Sequence, residues 1–114
     1  MSSYPRVVVT GIGAVTPIGN TAQDFWASVV SGKSGVDKIT AFDPAAFDCK
    51  IAAEIKNYDP KNTIPVKESR RMERFCQFAV TAAKEAITDA ALDMTKEDPF
   101  EVGVIIGSVI LSLR

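Results

Sequence analysis

The feature that most limits the possible folds is a long run of apolar residues at helical spacing in the last third of the sequence. These side chains recur every three or four residues, at Met72, Phe75, Cys76, Ala79, Val80, Ala83, Ala86, Ile87 and Ala90. Because this period matches one face of an α-helix, the pattern predicts a long helix with that face against a core. The polar residues between them are predicted to face away from the core, at least in part: Arg71, Arg74, Gln77, Thr81, Lys84, Glu85 and Asp89.

The opening segment VVVTGIGAVTPIGN, residues 7–20, predicts a buried strand over residues 6–11 that runs into a glycine-containing turn. Nucleotide-binding folds begin in a similar way, so phosphate binding is one interpretation of the glycines. The dinucleotide fingerprint needs a third glycine, but Thr16 occupies its place, and it needs an acidic residue after a second strand, whereas Asp37 follows a loop. A P-loop is excluded as well, because no Gly-Lys-Ser/Thr triplet stands at the required spacing from an upstream glycine in a strand-turn-helix context. The favoured interpretation is glycines that permit a tight turn.

The remaining elements complete a βα…αβ order. A helix of about eleven residues is predicted to start at Thr21, which can cap it, and to stop at Gly32. Its apolar face consists of Phe25, Trp26, Val29 and Val30. Residues 33–69 read as connecting loops with short strands around Ile51 to Ile55, and residues 101–110 read as a second buried strand. The sequence therefore predicts an α/β fold.

Composition excludes several functional classes. A chain of 114 residues, 46% of them hydrophobic, suffices for one small domain or part of a larger one. Its 13 basic and 14 acidic residues give a net charge of -1, so no overall field favours nucleic acid or a membrane surface. No apolar run is long enough to span a bilayer. Cys49 and Cys76 are predicted to be reduced thiols, which favours a cytoplasmic protein.

Catalytic and metal sites lack their usual residues. The chain contains no histidine, so Ser-His and Cys-His dyads are excluded and the commonest metal ligand is missing. Cys76 is predicted to lie in the core, and Cys49 has no neighbouring base to activate it. We therefore expect no metal, no cofactor and no catalytic residue within this chain.

Several blocks of the sequence, in order, resemble the β-ketoacyl-acyl-carrier-protein synthases, most closely the type II elongating condensing enzymes of fatty-acid synthesis. The blocks are RVVVTGIGAVTPIGN, FWASVVSGKSGV, FDPAAFDCKIAAEI, RRMERFCQFAVTAAKEAITDA and EVGVIIGS. The resemblance implies a thiolase-like fold, of which residues 1–114 would be the N-terminal part, and a homodimer for the full-length protein. It also implies that the opening glycines form the turn after the first strand and hold no phosphate.

The resemblance implies a reaction as well. Members of the family move an acyl chain from a carrier protein onto a cysteine and condense it with a decarboxylating malonyl group. That chemistry needs a thiolate and imidazoles, which in the family lie beyond residue 114. The chain is therefore expected to be inactive alone, and the alternative function is a non-catalytic module that docks a carrier protein or another partner. The unpaired apolar edges of its strands predict aggregation or dependence on a partner.

Two sets of site residues follow from the resemblance. Lys67, Arg70 and Arg71 match the basic positions that receive the acidic recognition helix of acyl-carrier protein. They are predicted to stand at the start of the long helix, where their spacing of three and four residues places them on one side. Arg74 could extend this patch. Ile110 falls at the position that gates the acyl pocket, although the glycines that normally follow are replaced by branched residues.

Overall fold

The structure is a computed structural model that describes residues 4–108. Its elements in chain order are α1 (Ala22–Val30), β1 (Asp37–Lys38), β2 (Ile51–Ala52), a 3₁₀ turn (Pro60–Asn62), α2 (Val66–Ser69) and α3 (Arg74–Asp89). They form a partial α/β structure in which the opening segment, the start of α1 and the loop at residues 55–63 contact α3. None of the helices in this part of the chain is long and apolar enough to cross a membrane.

Helix α1 has the ends that its sequence predicts. The Thr21 hydroxyl accepts a hydrogen bond from the Asp24 amide at 3.1 Å, which satisfies one of the free N–H groups of the first turn. The chain leaves the helix through Gly32, whose φ of +68° is unfavourable for other residues. The predicted apolar face is only partly covered within the described residues, since the Trp26 side chain is 65% exposed.

The only sheet among the described residues is the antiparallel pair β1–β2, in which Asp37 lies opposite Ala52. The predicted strand around Ile51 is thus confirmed, while its partner β1 was not predicted. Glu54 fixes the loop after β1, because its carboxylate accepts hydrogen bonds from the Thr40 hydroxyl at 2.7 Å and the Ala41 amide at 3.0 Å. These bonds lower the pKa of Glu54.

The two longer predicted strands are not formed within residues 4–108. Residues 6–11 carry no strand pairing, and Val7 is 88% exposed. Residues 101–108 are likewise not assigned to a strand, with Ile105 99% exposed, and residues 109 and 110 lie outside the described part of the chain. A strand is stabilised by hydrogen bonds to a neighbour, and neither segment has a partner strand among residues 4–108. Both therefore present apolar side chains to solvent.

The glycines of the opening segment serve two purposes. Thr16 and Gly19 close a tight turn through amide-to-carbonyl hydrogen bonds of 2.8 and 3.3 Å, as predicted. Gly13 instead lies directly against the backbone of α3. A Cβ atom at Gly13 would stand 2.8 Å from the Ala86 nitrogen and would overlap the Ala82 carbonyl oxygen. The absence of a side chain thus permits close packing of the segment on the helix.

Helix α3 begins two residues later than the apolar pattern suggests. Met72 is not part of it, because Glu73 adopts an extended conformation with ψ of 155° and separates the preceding turn from the helix. The core beside α3 is small: Ile64 is the one buried hydrophobic side chain among the described residues, at 2% exposure. Contacts between α3 and the rest of the chain therefore rest heavily on hydrogen bonds.

Candidate functional site

The predicted basic residues lie on a short helix and the turn that follows it, and not at the start of the long helix as the sequence suggests. Helix α2 begins after Pro65, whose carbonyl accepts the Glu68 and Ser69 amides at 2.9 Å. The helical hydrogen bonding continues past the helix end, because the Arg71 amide donates to the Glu68 carbonyl at 2.9 Å. Arg70 and Arg71 thus continue the helical turn of α2.

We call Lys67, Arg70 and Arg71 the basic turn. All three side chains are exposed. Within residues 4–108, none of them enters an ion pair, and none uses its side chain in a hydrogen bond. The helical bonding keeps Lys67 on the same side as the two arginines, at spacings of three and four residues. The structure therefore brings the three predicted docking residues together, whereas Ile110 lies outside the described residues.

Arg74 has a different environment from the basic turn. Its guanidinium donates to the Ile55 carbonyl at 3.0 Å and lies 5.1 Å from the ring centre of Phe78 and 5.8 Å from that of Tyr58. The two rings meet edge to face with centres 4.9 Å apart. Arg74 therefore holds the loop around Ile55 against α3 through a hydrogen bond and cation–π contacts. Its charged group is thus already engaged within the chain.

A polar row on α3 corrects the predicted orientation of that helix. Gln77, Thr81, Glu85 and Asp89 follow one another at four-residue spacing, and each contacts another segment of the chain. Thr81 is buried, at 9% exposure. These residues were predicted to face away from the core at least in part, and Asp89 is indeed exposed, but Gln77 and Glu85 are half-buried. The short, loop-rich neighbours of α3 leave backbone groups that need polar partners, and this row supplies them.

The C-terminal half of the row, Glu85 and Asp89, holds the N-terminal segment and the start of α1. Glu85 accepts hydrogen bonds from the Ala14 and Ala22 amides, each at 2.8 Å, and Asp89 accepts one from the Ile12 amide at 2.9 Å. Because Ala22 is the first residue of α1, the Glu85 carboxylate also lies at the positive end of that helix. Apolar periodicity gives no sign of these contacts; the four-residue spacing of the polar side chains is the signal that could have revealed them.

The N-terminal half of the row, Gln77 and Thr81, holds the loop before α2 and the backbone beside the basic turn. The Tyr58 hydroxyl lies 2.8 Å from the Thr81 hydroxyl, which also lies 3.0 Å from the hydroxyl of Thr63. The Gln77 side-chain amide donates to the carbonyls of Ser69 at 2.9 Å and Met72 at 3.2 Å. The backbone on both sides of the two arginines is therefore attached to α3.

A groove of about 630 Å³ lies between the start of α1, the loop at residues 57–63 and α3. Its charged side chains are occupied, because Lys84 donates to the Thr63 carbonyl at 2.7 Å and Glu85 accepts the two amides described above. Neither cysteine lines it: Cys49 is exposed, and Cys76 is half-buried on α3. The groove presents no nucleophile with a base beside it. Among the described residues, the basic turn is the arrangement best suited to recognising a partner, by its charge.

Comparison with known proteins places the chain in a family. Residues 5–112 match the family described as "Beta-ketoacyl synthase, N-terminal domain". A 3-oxoacyl-[acyl-carrier-protein] synthase 2 of Synechocystis sp. is 46% identical over 109 residues, and a protein of the same name from Staphylococcus aureus (strain COL) is 44% identical over 108 residues. The chain belongs to the beta-ketoacyl synthase family.

These relatives are much longer than the chain. The matches cover 96% and 95% of this chain, but each covers only 26% of the relative. Among solved structures, the ishigamide ketosynthase/chain length factor superposes with a TM-score of 0.67 at 33% identity, over 77% of this chain and 22% of that one. These findings confirm the predicted α/β class and the thiolase-like fold, of which the chain forms a part.

Proposed function

We propose that this chain is the part of a 3-oxoacyl-[acyl-carrier-protein] synthase that receives the acyl-carrier protein through the basic turn. The observation that carries the proposal is the exposed cluster of Lys67, Arg70 and Arg71, which has no partner among the described residues, in a chain of this family. The names of the relatives support it, since both are called 3-oxoacyl-[acyl-carrier-protein] synthase 2 and so contain the name of the carrier protein.

In the full-length protein the reaction would be the condensation of an acyl thioester with malonyl-carrier protein. The thiolate and imidazoles of that reaction come from beyond residue 114 in this proposal, because the chain has no histidine. The residues described here would bind and orient the carrier. Exposed ion pairs contribute only about 0.2 to 1 kcal/mol each, so three of them mainly guide association and fix the orientation of the docked carrier.

Several finer features belong to the same proposal. The full-length protein would act as a homodimer in the cytoplasm, where thiols such as that of exposed Cys49 remain reduced. Ile110 would contribute to the acyl pocket. The chain would bind no nucleic acid and no membrane surface, because its net charge is close to zero.

The proposal is tested in a full-length synthase in which this chain replaces the matching 26% of the Synechocystis relative, which we call the grafted synthase. Exchanging Lys67, Arg70 and Arg71 together for Glu is expected to raise the KM for malonyl-carrier protein by about tenfold or more, because three attractive pairs become repulsive. Steady-state kinetics with the carrier and with a carrier-free acyl thioester mimic measure the effect. Turnover of the mimic should stay close to that of the unmodified grafted synthase.

A control triple variant has the same change in charge elsewhere on the surface. Lys33, Lys38 and Lys50 are exposed and make no side-chain ion pair or hydrogen bond within the described part of the chain, so their replacement by Glu should leave the KM for the carrier within about twofold. If the two triple variants raise this KM equally, or if the basic-turn variant slows the mimic as much as the carrier, the docking assignment is wrong.

A further inference from the structure

The side chain of Gln77, on α3, contacts the main chain on both sides of the two arginines of the basic turn. Its side-chain nitrogen has two N–H groups, and it donates to the Ser69 carbonyl at 2.9 Å and to the Met72 carbonyl at 3.2 Å. These two carbonyls stand immediately before Arg70 and immediately after Arg71 in the chain. A single half-buried amide therefore ties down both ends of the segment that carries the two arginines.

The segment needs such an attachment. Helix α2 has only four residues, which is too short for a helix to be stable without tertiary contacts. The last carbonyls of a helix also lack partners within it. The Ser69 carbonyl accepts both the Met72 amide, at 3.2 Å, and the Gln77 amide, so the turn and the side chain close one hydrogen-bonded ring.

Gln77 is itself held in a fixed position. The main-chain N–H of Gln77 donates to the Glu73 carbonyl at 3.1 Å, and the main-chain carbonyl of Gln77 accepts the Tyr58 hydroxyl at 3.1 Å. The same hydroxyl contacts buried Thr81 one turn further along α3. The side chain thus transmits the rigidity of the long helix to the short one.

We infer that Gln77 is a positioning residue for carrier-protein docking, one that holds Arg70 and Arg71 in the arrangement that an acidic partner surface meets. This inference rests on the docking function proposed above. A preformed turn loses less conformational freedom at the moment of association than a disordered one. Loss of the contact should therefore weaken the association step and leave the chemical step unchanged.

The test compares Gln77→Met, which keeps the length of the side chain and removes both donors, with Gln23→Met as a matched control on the exposed surface of α1. In the grafted synthase, Gln77→Met is expected to raise the KM for malonyl-carrier protein by about fivefold with kcat unchanged, because the two hydrogen bonds no longer order the turn. Turnover of the carrier-free mimic should also be unchanged, which shows that the variant is folded. Gln77→Glu retains the shape of the side chain but places a carboxylate oxygen where the nitrogen faced both carbonyls. It should raise the KM as much as Gln77→Met or more.

Amide hydrogen exchange provides the second readout. The amides of Arg71 and Met72 should exchange about tenfold faster in Gln77→Met than in the control, while amides in the middle of α3 keep their protection. If the basic-turn triple variant raises the KM and neither Gln77 variant does, this inference is overturned and docking stands. If the triple variant itself leaves the KM unchanged, the docking proposal fails. Unchanged exchange at Arg71 and Met72 would also overturn the role assigned to Gln77.

Discussion

Replacement of Gly13 by Ala is expected to destabilise the protein by about 3 kcal/mol, since a single added methyl group would have no room. The new Cβ would overlap the Ala82 carbonyl oxygen and stand 2.8 Å from the Ala86 nitrogen. Both are backbone atoms of α3, so the collision cannot be relieved by a rotamer change. The N-terminal segment would have to move away from the helix, and its hydrogen bonds to Glu85 and Asp89 would be lost with it.

The apparent melting temperature of the grafted synthase measures this effect. Gly103→Ala is the matched control, because an added Cβ at Gly103 meets nothing within 4 Å and φ at that residue is not positive. It should change stability by about 0.5 kcal/mol or less. Equal melting temperatures for the Gly13 and Gly103 variants would show that the opening segment does not pack on α3 as described.

Replacement of Glu85 by Ala is expected to have the second largest effect, a destabilisation of about 2 kcal/mol. The substitution removes the acceptor for two backbone amides, those of Ala14 and Ala22, and it removes a negative charge from the start of α1. Glu85→Gln should fall between Ala and the native residue, because its one carbonyl oxygen can serve only one of the two amides.

Thermal melting of the same grafted synthase distinguishes this role from a general effect of losing a carboxylate. Glu97 is exposed, and its side chain has no ion pair or hydrogen bond within the described residues, so Glu97→Ala should leave the melting temperature nearly unchanged. A Glu85→Ala protein that melts with the Glu97→Ala protein would contradict the bridging role of Glu85.

The helices could be predicted from the sequence because their signals are local. Thr21 and Gly32 mark the ends of α1, and the apolar period of α3 is expressed within the helix itself. The strands over residues 6–11 and 101–110 were predicted from equally clear apolar runs. A run such as Val7 to Val9 indicates that a segment suits a buried sheet, but pairing depends on a neighbour that the described residues do not supply.

Of the candidate site, only the charged residues were predicted from the sequence. The resemblance indicated Lys67, Arg70 and Arg71, and the structure places them together on α2 and the following turn. The supporting contacts were missed, because Gln77 meets Ser69 and Met72 only when extended Glu73 interrupts the helix between them. A break between two helices depends on backbone conformation at a single residue, and side-chain periodicity across residues 66–90 does not reveal it.

The most direct test of the docking account is the salt dependence of the KM for malonyl-carrier protein in the grafted synthase. Raising ionic strength from about 0.05 to 0.5 M shortens the range of interactions between exposed charges. The account predicts that the KM of the unmodified protein rises steeply over this range, whereas that of the variant with Glu at positions 67, 70 and 71 is already high and does not rise further with salt. An equally steep rise in both proteins would contradict the account, because the carrier would then be attracted by charges other than those of the basic turn.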